Sequence, residues 1–246
     1  MLPQKFLNYI NEPSFDSHLR DRIKEWGNFQ SFTEFIIQNE KKINKRLKTA
    51  KEIEDKRDIG IELYIGFIFS DTNCQVIYEP NISIPCNPDF QIHFQNQSFF
   101  CEVKRIRKWV TGEVSNEEMY KKCGDIICEK IIQTVPNSIN LIYIRSSGFG
   151  PWVVDFENAV RNIFDWIKKD PESFLKKIKK NSISSIEEFH VYWKQLSGII
   201  IPKPENNFSP HIWKNQDASM KINSKIESKI EEAIRKPFRY DLFFDE

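Results

Sequence analysis

The chain has 246 residues, 40% of them apolar, with 20 phenylalanines and a formal net charge of +1. This is apolar material enough for a substantial core in one large domain, or in a main domain with a helical appendage. The near-zero charge excludes an overall field that would by itself announce a polyanion partner. No apolar run reaches the roughly 20 residues that a membrane helix needs. The five cysteines (Cys74, Cys86, Cys101, Cys123, Cys128) form no C-x-x-C pair. Met1 to Asn11 lacks the basic start and apolar core of a signal peptide. Both facts point to a reduced, cytoplasmic protein without a structural zinc site. Charge is uneven locally. Lys41, Lys42, Lys45, Arg46, Lys48 and Lys51 crowd one stretch, and Lys168, Lys169, Lys176, Lys177, Lys179 and Lys180 another.

In chain order, residues 1–57 read as a helical, mostly polar extension packed on the core. Phe32, Phe35, Ile36, Ile43 and Leu47 recur there at helical spacing, with lysines between them. Residues 58–246 read as one α/β domain. Asp58 stands where an N-cap restarts the chain as a helix. Ile59 to Phe69 is apolar except for Glu62, and Gly60 and Gly66 permit close packing of a neighbour. Gln75 to Tyr78 is a short strand. From Asp89 to Phe94 the pattern alternates, with Phe90, Ile92 and Phe94 on one face. Gln95-Asn96-Gln97 is a turn, and Ser98 to Ile106 the next strand. Period two puts Phe100, Glu102 and Lys104 on one face of it. A helix follows over 117–134, stopped by Pro136, and then a buried-type strand over Ile139 to Ile144. Helices over Phe156–Lys168 and Pro171–Lys180 come next. Ser197 to Ile201 is a second buried-type strand, and Asn223 to Arg235 a closing helix. This order predicts an α/β sandwich with a mixed sheet.

Chemistry concentrates at Pro88-Asp89 and Glu102-Val103-Lys104. Phosphodiester hydrolysis needs a cation to polarise the phosphate, a deprotonated water aimed in line, and relief for the leaving oxygen. Asp89 and Glu102 offer carboxylate ligands for a hard divalent cation, and the Val103 carbonyl a third. Lys104 can position or deprotonate the water, since an ammonium near a metal has a depressed pKa. Glu62, alone in its apolar helix, is expected to reach the same cation directly or through water. Taken singly, Asp89 is a turn acid after proline, and Glu102 with Lys104 an ordinary same-face ion pair. Jointly, acids on two flanking elements aimed at one lysine are costly to bury without a cation or other partners.

Glu62 on a helix, Pro88-Asp89 at a strand start and Glu102-Val103-Lys104 on the next strand resemble the PD-(D/E)XK nuclease superfamily. The similarity covers roughly residues 58–145. It implies a restriction-endonuclease-like αβββαβ core with a mixed central sheet and additional flanking helices. It further implies a Mg²⁺-dependent endonuclease, with Mn²⁺ able to substitute, acting on nucleic acid and usually on DNA. A restriction or defence role is one expectation. A homodimer is another, since double-strand cleavage favours two sites facing two strands. Asn137 stands four residues after Gln133, so the Q-x-x-x-Y signature of one branch of the superfamily is missing.

Several flanking residues extend the candidate site. Arg105, Arg107 and Lys108 leave the Glu102 strand as a basic run suited to phosphates, with Trp109 available for stacking. Lys130 and Gln133 on the following helix can add polar groups. The competing expectation is a nuclease-fold protein that binds nucleic acid or a protein partner without cutting it.

Overall fold

The computed structural model describes residues 1–82, 87–107, 115–146, 153–202 and 210–235, which hold nine α-helices and six strands. Side-chain caps decide where several helices begin, because a helix start leaves amide donors without intrahelical partners. Asp16 accepts the Leu19 amide at the head of α2 (Ser17–Trp26). Asp170 caps α7 (Pro171–Lys179) and Ser185 caps α8 (Ile186–Gln195). Ser115 and Glu118 make a reciprocal capping box at α5 (Asn116–Lys130). The expected cap at Asp58 is corrected: α4 spans Ile53–Ser70, and its start is set by Glu52 pairing with Asp55. That box satisfies the first amides a turn and a half earlier, so Asp58 lies inside the helix.

Contacts divide the described chain into two units, and the division does not fall at residue 57. The first unit comprises Met1–Pro80, Asp89–Ser98 and the residues from Ser224 onward; the second comprises Asn81–Pro88 and Phe99–Asn223. Within the first unit, α1 (Gln4–Ile10), α2, α3 (Gln30–Thr49) and α4 pack on one another. The Trp26 ring stacks on Phe67 at 5.5 Å between centroids and meets Phe32 edge-on at 5.7 Å. The two α4 glycines do what close packing requires: a Cβ at Gly60 would overlap Leu19, and one at Gly66 would overlap the Phe35 ring. β1 (Gln75–Tyr78) pairs antiparallel with β2 (Phe90–Phe94). On β2 the buried side chains are Phe90, Ile92 and Phe94, as the alternation predicts. The closing helix α9 (Ser224–Arg235) buries Ile226, Ile230 and Ala233 in this unit.

In the second unit, β3 (Gln97–Ile106) pairs parallel with β4 (Asn140–Ser146) over Phe100 to Ile106. β4 is parallel to β5 (Leu196–Ile201), and β5 is antiparallel to β6 (His211–Lys214). The sheet is mixed and open, in the order β1-β2-β3-β4-β5-β6. A two-residue turn at Gln95-Asn96 joins β2 to β3, with Gln95 at φ 50°. β3 is buried on both faces from Phe99 to Val103, as suits an interior strand with parallel pairing. α5, α6 (Val153–Lys169), α7 and α8 share a core with Ile142, Ile144 and Ile199. The expected helix over 117–134 tightens into a 3₁₀ turn at Ile131–Gln133, with Thr134 extended before Pro136. α8 and the short β6 are elements that the sequence pattern did not announce. Cys74, Cys101, Cys123 and Cys128 are free and buried. Among the described residues, no helix is long and apolar enough to cross a membrane.

Candidate active site

Glu62 is the most constrained of the sequence-selected carboxylates. Every α4 residue from Ile59 to Phe69 is buried, so Glu62, at 5% exposure, has no water to solvate its charge. Two side chains of the first unit replace that water. Arg46 on α3 donates from Nη2 to Glu62 Oε1 at 2.5 Å, and the Tyr78 hydroxyl at the end of β1 donates to Oε2. Tyr78 is itself held by its backbone. Its amide donates to Asn39 Oδ1 at 3.1 Å, and its carbonyl accepts from Lys42 Nζ at 2.9 Å. Lys42 also bonds the Glu79 carbonyl. The Glu79 amide donates to the Asp89 carbonyl at 2.7 Å, which fixes the backbone of Asp89 immediately ahead of β2.

Burial, and then the Asp89 charge, push the Glu62 carboxyl up to about 7, against the pull of Arg46 and Tyr78. Burial opposes the Arg46 guanidinium, but the charge of Glu62 overcomes it, with further contributions from Tyr78 and Asp89, and holds Arg46 more firmly protonated than usual. Burial and the Glu62 charge drive the Tyr78 hydroxyl well above its ordinary range. Two carboxylates thus raise one another's cost of ionisation in a dry corner, which is the condition that a bound cation relieves.

The second unit holds Glu102, at 4% exposure on β3. Lys130, the last residue of α5, places Nζ 2.6 Å from Glu102 Oε1. Lys104 Nζ lies 2.6 Å from Oε1 of Glu129, the residue before it on α5. Both side chains of the expected β3 face therefore meet the same helix end. Glu102 and Lys130 line a narrow cleft with Pro88, Phe100, Gln133 and Thr134. Its volume of about 10 Å³ has room for roughly one water. Gln133 Nε2 donates to the Asn87 carbonyl at 3.2 Å, which ties the segment before Pro88 to the end of α5. The chain passes from the second unit to the first between Pro88 and Asp89.

The sequence-selected residues therefore fall in two groups. Glu62 and Asp89 belong to the first unit; Glu102, Val103, Lys104, Lys130 and Gln133 belong to the second. Arg105 is a correction: it is 7% exposed and does not lie on an open phosphate-binding surface. Strand alternation turns it to the face opposite Lys104. Arg107 is exposed, and Lys108 lies outside the described residues. Sequence reasoning missed Arg46, Tyr78 and Glu129 as partners. For Arg46 and Tyr78 a signal was present, because a glutamate inside an apolar helix demands a cation or donor from another element.

Among the described residues, no group of three or more His, Cys, Asp and Glu side chains gathers to hold a metal ion. Mg²⁺ makes a smaller demand, taking one or two carboxylates and keeping several waters. Asp89, Glu102, Glu62 and the Val103 carbonyl are hard oxygen donors of that kind, and the mutual repulsion of Glu62 and Asp89 fits the ion. No protein-family model matches the chain, and comparison with curated proteins and with solved structures finds no match.

Proposed function

We propose that the chain is a Mg²⁺-dependent nuclease of the PD-(D/E)XK type, with DNA as its substrate. The observation that carries this is Glu102. It is a carboxylate buried on an interior strand, two residues before a lysine on the same face, with Pro88 of the Pro-Asp pair lining its cleft. The element order α4-β1-β2-β3-α5-β4, with β3 parallel to β4, agrees with the αβββαβ core that this reading requires.

In this reading, which rests on the sequence motif, Asp89, Glu102, Glu62 and the Val103 carbonyl would be the oxygen donors that hold the cation. Bound there, Mg²⁺ would supply charge stabilisation for the phosphate and a more acidic water. Lys104 would position the attacking water. Glu129 holds the Lys104 ammonium in place, and Lys130 pairs with Glu102 in its narrow cleft. Arg107 and Lys108 meet the backbone phosphates. Cytoplasmic residence and a homodimer belong to the same proposal.

A second reading has its own observation. Glu62 already pairs with Arg46, and Glu102 with Lys130, so each buried charge is balanced without a metal. A nuclease-fold protein that binds nucleic acid or a protein partner without cutting would be stable in this form.

Purified protein and the Asp89→Ala variant, incubated with plasmid DNA, single-stranded DNA and RNA under Mg²⁺, Mn²⁺ or EDTA, separate the two. Metal-dependent cutting lost in the variant establishes the nuclease. Absence of both cutting and Mn²⁺ binding favours the non-catalytic binder.

A further inference from the structure

We infer that Arg46 is an exchangeable counter-cation, occupying the Glu62 carboxylate that a divalent ion would take, so that cation entry and Arg46 release are one event. The identity of the incoming cation rests on the nuclease reading above; the competition rests on the geometry of the first unit.

Three observations carry it. First, Arg46 Nη2 sits 2.5 Å from Glu62 Oε1, and Tyr78 holds Oε2, so both carboxylate oxygens are engaged by donors. A cation at Oε1 would sit within a few ångströms of the guanidinium charge, so each weakens the binding of the other. Second, the partners differ in freedom. The Glu62 side chain is 7% exposed, whereas that of Arg46 is 43% exposed. The guanidinium can leave without repacking the core; the carboxylate cannot follow. Third, Arg46 has somewhere to go. It borders an open cleft of about 250 Å³, lined also by Thr49, Ala50, Asp55, Asp58 and Ile59. Asp55 and Asp58 give this cleft a negative lining, which favours a guanidinium there. Arg46 Nε, which makes no hydrogen bond inside the protein, shows that its present seat does not satisfy the whole fork.

Lys42 provides an internal control. It lies one turn before Arg46 on α3, and its ammonium bonds the carbonyls of Tyr78 and Glu79. Removing it deletes the same charge from the same neighbourhood without freeing the carboxylate. Charge alone predicts gains from both substitutions that differ only with distance; competition for Glu62 predicts a gain confined to Arg46 and lost with the Glu62 carboxylate.

The experiment is calorimetric titration of Mn²⁺ into the intact chain, without nucleic acid. It compares wild type with Arg46→Met, Lys42→Met and the double variant Arg46→Met/Glu62→Gln. Arg46→Met is expected to bind Mn²⁺ roughly tenfold or more tightly than wild type, and Lys42→Met to change affinity less than about threefold. The double variant should lose the gain, because the freed carboxylate is then absent. If Arg46→Met does not fold, Arg46→Gln, which keeps a polar side chain without the charge, takes its place under the same criterion. Wild-type binding that Arg46→Met leaves unchanged or weakens overturns the inference and leaves the nuclease reading intact. Equal gains in Arg46→Met and Lys42→Met do the same. Failure of every variant to bind Mn²⁺ sinks both.

Discussion

Glu62 and Glu102 are both acids buried to about 5% exposure, yet the two units neutralise them differently. Glu62 meets a guanidinium from α3 and a phenol from β1, the elements on either side of α4 in sequence. Glu102 meets an ammonium from the helix that immediately follows its strand. The Arg46 side chain is 43% exposed and that of Lys130 is 16% exposed. One acid is thus paired with a cation that reaches the protein surface, and the other with a cation enclosed beside it. Burial of a carboxylate dictates that a partner exists; it does not dictate how firmly the partner is held.

The contrast can be sharpened first on activity. Lys104→Ala is expected to lower DNA cleavage by roughly a hundredfold or more if Lys104 positions the attacking water. Its stability should change by less than about 1 kcal/mol, because the Lys104–Glu129 pair is partly exposed. Plasmid cleavage beside urea unfolding reads both numbers, and a parallel fall in both would make Lys104 structural. Next in size is Lys130→Ala, which strands Glu102 and should cost about 3 kcal/mol in urea unfolding. Arg46→Ala should cost less at pH 6 than at pH 8, because Glu62 can take up a proton instead.

That proton gives a third test. Glu62 rises from an ordinary 4.5 to about 7 on folding, so below pH 4.5 both folded and unfolded chains carry its proton. Between those values the unfolded chain has lost the proton and the folded chain keeps it. This contribution to stability is therefore complete at low pH and is lost as pH rises towards 7, by about 3 kcal/mol in all. Glu62→Gln should flatten that part of the stability profile, and an unchanged slope would place the titration elsewhere. The smallest effect is expected of Tyr78→Phe. Loss of a hydrogen bond to a charged group costs roughly 1.5 kcal/mol and should move the Glu62 midpoint upward, as read by carboxyl NMR.

The β2–β3 segment was the most legible part of the fold. Phe90, Ile92 and Phe94 alternate with polar residues, and a strand with one buried face can satisfy that pattern in a single register. The apolar run of α4 was legible for the same reason, and so were its two glycines. Less visible were features decided by distant partners. Asp58 carries the chemistry of a cap, but the Glu52–Asp55 box pre-empts it. β6 is four residues long, and only Trp213 among them is buried, too little for a pattern. Of the candidate site, residue types and strand faces could be read from the chain. The engagement of Glu62 by Arg46 could not, because it depends on how α3 packs on α4. Arg105 was misplaced because a basic run suggests solvent, whereas its strand is buried on both sides.

The placement of α9 has a consequence for biosynthesis. Lys229 on α9 bonds the Thr72 carbonyl at 3.1 Å and sits 5.7 Å from the Phe94 ring centroid, and Ile226, Ile230 and Ala233 are buried with it. The first unit therefore opens with residues translated before the second unit and closes with residues translated after it. The second unit, nearly all of it drawn from Phe99–Asn223, has its strands and helices in hand before α9 has been translated. During that interval the Glu62 corner belongs to an incomplete body with part of its apolar surface uncovered. A nascent chain of this topology would enclose its two buried carboxylates in a fixed order, Glu102 before Glu62, because the Glu62 corner is complete only once α9 has been made.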